Sequence, residues 1–182
     1  HRELASGLSC PVGFKNGTDG NTQIAIDAIR AAREPHHFLS VTKTGHTAIV
    51  ATRGNPDCHI ILRGGKKPNW DEASVRQAVE ALQSGGLPSR LMIDCSHANS
   101  QKDYSKQVQV ARGIAEQIGS GSQAILGVMI ESNLVDGKQD PRADRELIRG
   151  QSITDGCIGW EQTEEVLGVF AEAKRKAGVV MA

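Results

Sequence analysis

Short apolar runs alternate along the chain with stretches whose hydrophobic residues recur every three or four positions. The runs are Ser9-Cys10-Pro11-Val12-Gly13-Phe14-Lys15, Cys58-His59-Ile60-Ile61-Leu62-Arg63, Leu91 through His97, and Ala124 through Glu131. Runs of this length bounded by polar or turn residues read as buried strands. Between them, Ile24, Ala25, Ala28, Ile29 and Ala32 mark one helical stripe over residues 21–33, which Pro35 ends. Val75, Ala78, Val79 and Leu82 mark a second, with Asp71 at its cap and Gly85-Gly86 at its end. Val108, Ala111, Ile114, Ala115 and Ile118 mark a third over 103–118. Val166, Leu167, Phe170 and Ala173 mark a fourth, capped by Thr163-Glu164-Glu165.

Two segments fall outside this alternation. Residues 37–42 and 48–52 are β-rich and flank a loop containing Gly45, so they read as an inserted hairpin. Residues 132–150 are charged and poor in anchors, which predicts a long loop. His1 through Leu8 read as the last turns of a helix, and the chain does not open on methionine, so a fragment is the expectation.

Four repeats of strand then helix, with near-continuous apolar strands, imply a parallel sheet covered by helices. Right-handed crossovers leave an open doubly wound sheet or a (β/α)8 barrel. No glycine-rich phosphate loop follows the first strand, as a doubly wound sheet would favour. A barrel needs eight units over about 250 residues. The chain therefore reads as roughly the last four βα units of an α/β TIM barrel, plus the hairpin, with residues 1–182 forming the carboxyl-terminal half of one domain.

Composition narrows the field. The chain has 182 residues, with 21 Lys plus Arg against 21 Asp plus Glu, which disfavours a broadly basic nucleic-acid binder. No apolar stretch approaches the ~20 residues of a membrane helix, and there is no signal-peptide pattern. The four cysteines form no Cys-x-x-Cys pair, so they read as reduced and the protein as cytoplasmic.

The strand ends supply the chemistry. They carry Lys15, Arg63, His97 and Glu131, and Asp155 follows in the connector 152–160. Catalytic groups of such barrels gather at the carboxyl ends of the strands. Lys15 and Arg63, the latter followed by Gly64-Gly65, suit a small phosphorylated acid. The alternative is that both cations pair structurally with Glu131 and Asp155. His97, Glu131 and Asp155 suit Mn²⁺, Fe²⁺, Co²⁺ or Zn²⁺ better than Ca²⁺. The alternative there is proton transfer without a metal. His36, His37, His46 and His59 carry no such signal, and Phe14, Trp70 and Trp160 read as core or pocket wall.

Five motifs together resemble type I 3-deoxy-D-arabino-heptulosonate 7-phosphate (DAHP) synthases of the microbial, feedback-regulated kind. They are Gly13-Phe14-Lys15-Asn16-Gly17-Thr18, Ile61 through Gly65, Asp94 through Ser100, Met129 through Leu134, and Ser152 through Trp160. The resemblance implies a transferase of the first step of the shikimate pathway. Phosphoenolpyruvate and erythrose 4-phosphate condense with water to give DAHP and phosphate. C3 of the enol attacks the aldehyde, water adds at C2, and phosphate leaves by C–O cleavage.

The resemblance also implies roles. Lys15, Arg63 and His97 are catalytic, with Lys15 and Arg63 binding phosphoenolpyruvate. His97, Glu131 and Asp155 hold one divalent ion. The fourth metal ligand (a Cys), the sugar-phosphate motif and another Arg belong to an amino-terminal half outside this sequence, so activity requires that half. An aromatic amino-acid effector is expected near Leu8, Ser9, Phe38, Ser40 and Val50, and a homo-oligomer, dimer or tetramer, at full length. Two other readings stay open: an inactive half-barrel that binds effector or assembles, and a 3-deoxy-octulosonate 8-phosphate synthase. The hairpin and the Ser-Ile-Thr-Asp connector favour the first reading over the last.

Overall fold

The computed structural model describes residues 1–142 and 146–178. A short helix α1 (Arg2–Ser6) leads into β1 (Val12–Lys15) and α2 (Gln23–Arg33). The hairpin β2 (His37–Val41) and β3 (Thr47–Ala51) follows, then β4 (Cys58–Leu62), α3 (Glu72–Ser84), β5 (Leu91–Asp94) and α4 (Gln107–Gly119). A 3₁₀ turn at Tyr104–Lys106 precedes α4. The chain continues through β6 (Ile125–Met129), β7 (Val135–Lys138), β8 (Gln151–Ser152) and α5 (Trp160–Lys176).

The expected parallel sheet is present, in the order β1-β4-β5-β6, with every pairing parallel. Each of its strands is followed by a helix, α2 to α5 in turn. Alternation along the strands separates two faces. Ile60, Leu62, Leu91 and Ile93 point to the helical side and are buried with Ile26, Ile29, Leu82, Val110, Ile114 and Val166 in one core cluster. The other face carries Gly13, His59, Ile61 and Met92, which are half-buried. On it the His59 Nε2 atom lies 3.0 Å from Met92 Sδ. Burial lowers the His59 pKa, which favours the neutral ring. The sheet and helices form a mixed α/β fold.

The hairpin is a separate two-stranded antiparallel sheet, pairing His37 with Ala51 through Val41 with Thr47. Asp71 caps α3 as expected, accepting from the Ser74 N–H at 3.0 Å. Helix α2 stops where the residue before Pro35, Glu34, is extended at ψ 153°.

Four expectations are corrected. Residues 132–150 are not simply a loop: β7 pairs in parallel with β8, and Gly137 bridges Cys157 (residues 143–145 lie outside the described ones). The strand expected to run to His97 ends at Asp94, where the chain turns. Helix α5 starts at Trp160, because Gln162 Oε1 accepts from the Gly159 N–H at 3.3 Å and Thr163 Oγ1 donates back to the Gly159 carbonyl at 2.9 Å. Finally, the helical phase turns three expected core residues outward. Ile24 is 52% exposed, Leu167 58% and Trp160 53%, while Ile26 is buried in place of Ile24.

Candidate metal centre and anion site

Parallel strands place all their carboxyl ends at one edge of the sheet. Lys15 and Asp94 are the last residues of β1 and β5, Arg63 follows β4, and Glu131 lies two residues beyond β6. Asp155 reaches the same place from the connector after β8. One donor atom each from His97, Glu131 and Asp155 lies within 4.8 Å of the others. The set has one imidazole nitrogen and two carboxylates, the donor chemistry expected for a divalent transition ion. His97 and Glu131 are half-buried and Asp155 is exposed. His97 Nε2 faces the cluster, 3.9 Å from Glu131 Oε1.

Two of these candidate ligands, His97 and Glu131, are held in place by backbone contacts. His97 has φ +46°, left-handed and uncommon outside glycine, and Gln101 and Lys102 in the same loop share it at +58° and +61°. The loop is closed by the Lys102 N–H donating to the His97 carbonyl at 2.7 Å. Glu131 is clamped by Gln107, a fully buried amide at the start of α4. Its Oε1 accepts from the Glu131 N–H at 2.9 Å and its Nε2 donates to the Glu131 carbonyl at 3.0 Å. The Ser96 hydroxyl donates to Glu131 Oε2 at 2.6 Å.

The two cations occupy different surroundings. The Lys15 ammonium donates to Asp94 Oδ2 at 2.9 Å. The suggested structural pairing of Lys15 with Glu131 or Asp155 is therefore replaced by one with Asp94, a fully buried acid. Arg63 is set by a ladder of three amides. Its N–H donates to Asn16 Oδ1 at 2.8 Å, and Asn69 Oδ1 accepts the Gly64 N–H at 2.7 Å. Asn99 Oδ1 accepts from the Asn69 N–H at 2.8 Å, and Asn99 Nδ2 donates to the Leu62 and Asp94 carbonyls at 3.1 and 2.8 Å. Arg63 Nε is buried with no hydrogen-bond partner among the described residues. Gly64 is required where it stands. It has φ +76°, and a Cβ there would come 2.8 Å from the Ala98 backbone.

Asp94, Ser96, Gln107 and the three asparagines were not legible as site residues. Asp94 reads as part of an apolar strand, and the amides are scattered along the sequence from Asn16 to Gln107. A faint signal existed in the dense polar composition of 94–100, which holds Asp94, Ser96, His97, Asn99 and Ser100. Cys95 is no ligand candidate: burial, helped by the Asp94 charge, pushes its thiol up to about 12.

The expected effector residues are at the opposite end. Leu8, Ser9 and Val50 line a cavity of about 450 Å³ with the 51–57 segment that leads into β4. Phe38 pairs with Val50 across the hairpin, while Ser40 pairs with Ala48 farther along. Neither Phe38 nor Ser40 lines that cavity.

The sequence pattern described as the DAHP synthetase I family matches residues 1–168. The chain belongs to that family. It is 59% identical over 173 residues to the Phe-sensitive phospho-2-dehydro-3-deoxyheptonate aldolase of Escherichia coli, covering 95% of this chain and 49% of that protein. It is 55% identical over 183 residues to the phenylalanine-inhibited aldolase of the same name from Saccharomyces cerevisiae, covering 96% and 50%. A solved phospho-2-dehydro-3-deoxyheptonate aldolase from Francisella tularensis superposes with TM-score 0.93 at 52% identity, over 97% of this chain and 52% of that one. The chain thus spans about half the length of the DAHP synthases it matches.

Proposed function

We propose that residues 1–182 are the carboxyl-terminal half of a DAHP synthase, four βα units of a TIM barrel. The activity is the condensation of phosphoenolpyruvate with erythrose 4-phosphate and water. The observation that carries this reading is the convergence of His97, Glu131 and Asp155, within 4.8 Å of one another, beside Lys15 and Arg63 in a chain of this family.

His97 through Nε2, with one carboxylate oxygen each from Glu131 and Asp155, would hold one divalent ion, Mn²⁺, Fe²⁺, Co²⁺ or Zn²⁺. Such an ion supplies Lewis acidity toward the aldehyde oxygen or a water. The chain's own residues do the rest. Lys15 and Arg63 bind the phosphate and carboxylate of phosphoenolpyruvate, the guanidinium in fork geometry and the ammonium as a point charge. Gly64 and Gly65 keep the loop beside Arg63 free of side chains, and a Cβ at Gly65 would collide with the Gly20 backbone that packs beside this loop. Both cations offset negative charge as phosphate departs. The amide ladder and Gln107 keep these groups in place, so little reorganisation is needed at the reacting geometry.

The bare face of the sheet and its two free edges, β1 and β6, suit pairing with the other half of a barrel. An aromatic amino acid would bind the cavity at Leu8, Ser9 and Val50, with Phe38 and Ser40 on the adjoining hairpin. The full protein would act as a cytoplasmic dimer or tetramer. Among the described residues, no helix is long and apolar enough to cross a membrane.

Phosphate release from both substrates by the full encoded protein, with Mn²⁺ and after exhaustive chelation, tests this. Release that needs both substrates, stops on chelation and returns with Mn²⁺ supports it. Turnover untouched by chelation removes the metal assignment, and preference for arabinose 5-phosphate over erythrose 4-phosphate reassigns the substrate.

A further inference from the structure

Asp94 is, among the described residues, the one carboxylate buried completely. It sits at the end of β5, where pairing with Met129 of β6 fixes its backbone. Its Oδ1 accepts from the Ser96 N–H at 2.9 Å. Its Oδ2 faces two groups at once: the Lys15 ammonium at 2.9 Å and His97 Nδ1 at 2.7 Å. The Nδ1 contact is close but off the hydrogen-bond axis, which leaves that buried nitrogen formally unpartnered. His97 has a left-handed backbone, φ +46°, at this contact.

We propose that Asp94 is a positioning residue that sets the tautomer of His97 and the place of Lys15 together. The inference rests on the metal and anion reading above and adds to it. An ionised carboxylate only accepts hydrogen bonds, so the imidazole nitrogen facing it must carry the proton. With Nδ1 protonated, Nε2 keeps its lone pair, and Nε2 is the atom directed at Glu131 and the metal cluster. The Lys15 ammonium has three donors. One is committed to Asp94, which aims the other two at the substrate's anion. A single acid therefore aligns the metal side and the enol side of the site. A neutral amide at the same place could instead donate to Nδ1 and send the proton to Nε2.

Selective ¹⁵N labelling of histidine in the full encoded protein tests this before any metal is added. In long-range ¹H–¹⁵N spectra, at a pH where imidazoles are neutral, His97 should be protonated at Nδ1; its resonance is assigned by loss in His97→Asn. Protonation at Nε2, the form free histidine favours, overturns the proposal. The second arm is Asp94→Asn, with circular dichroism to confirm folding. Its Mn²⁺ affinity, read by paramagnetic resonance of the free ion, should weaken by about 10–100-fold, and KM for phosphoenolpyruvate should rise. A folded variant whose Mn²⁺ Kd stays within about twofold of wild type also overturns it, because second-sphere partners of metal-bound histidine normally matter by more. If the variant does not fold, the wild-type tautomer decides alone. A wild-type protein that binds no Mn²⁺ would sink the metal reading, while the tautomer would still judge Asp94.

Discussion

The carboxyl edge of the sheet and the β2–β3 hairpin are built on opposite principles. At the carboxyl edge Asp94, Asn16, Asn99, Ser96 and Gln107 are all buried, and each is tied to backbone or to another side chain. In the hairpin the large residues point to solvent: Leu39 and Ile49, directly paired, are each 74% exposed. One region carries its polar groups inside and pairs nearly all of them, leaving Arg63 Nε and His97 Nδ1 open toward the site, and the other carries apolar groups outside. Buried polar networks hold geometry because any half-satisfied state is costly. Side chains on an exposed ribbon are tolerant of change.

That contrast should appear as a gradient of mutational cost, read by urea or thermal unfolding of the full encoded protein. Leu62→Ala, beneath the carboxyl edge at 1% exposure, should cost about 2–5 kcal/mol through lost burial and a cavity. Asn99→Ala strips partners from the Leu62 and Asp94 carbonyls and the Asn69 N–H, and should cost about 1–3 kcal/mol. It should lower phosphate release as well, because the same amide holds the Arg63 loop. If Asn99→Ala proved as mild as a hairpin substitution, the account of the edge as a tensioned network would fail.

Asp71→Ala should cost about 1 kcal/mol by removing the cap of α3. This cost should depend on pH. Burial alone would raise the Asp71 carboxyl, but the Ser74 hydroxyl and N–H outweigh it and the pKa is lowered. The cap therefore stabilises above the unfolded carboxylate value, and its contribution is lost as pH falls through the folded one. Wild type and variant should converge in acid. Leu39→Ser, at the far end of the scale, should change stability by no more than about 0.5 kcal/mol. A larger loss, dependent on protein concentration, would show that the ribbon is covered by another chain.

The same contrast explains what the sequence made legible. The apolar runs at 58–62 and 91–93 announce buried strands because burial on the helical side leaves little room for polar residues. The charged residues closing each run then follow, so Lys15, Arg63, His97 and Glu131 could be named and their common edge expected. The hairpin was readable because both its strands and its turn are local. What was missed depends on distant partners. The pairing of β7 with β8 joins 135–138 to 151–152 through an irregular register, with Gly137 at φ +84°. The start of α5 is set by a glycine, which offers no side-chain signal. Asp94 looks like one more strand residue until folding brings Lys15, 79 positions away, against it. The stripes held for Ala25, Ala28, Ile29, Ala32, Val166 and Ala173, but Ile24 and Leu167 at their margins face solvent, and Ile26 lies in the core instead of Ile24.

The left-handed backbone at His97 also limits how such a centre could change over time. Asn and Asp tolerate that conformation, whereas β-branched residues do so only under strain. Drift at this position is thereby channelled toward a short list of replacements. Among alternative donors Asp is the natural neighbour, while a Thr would strain the chain before it ever met an ion. If the three residues hold an ion as proposed, a swap of metal preference would come more readily from Glu131 or Asp155, neither of which has a left-handed backbone.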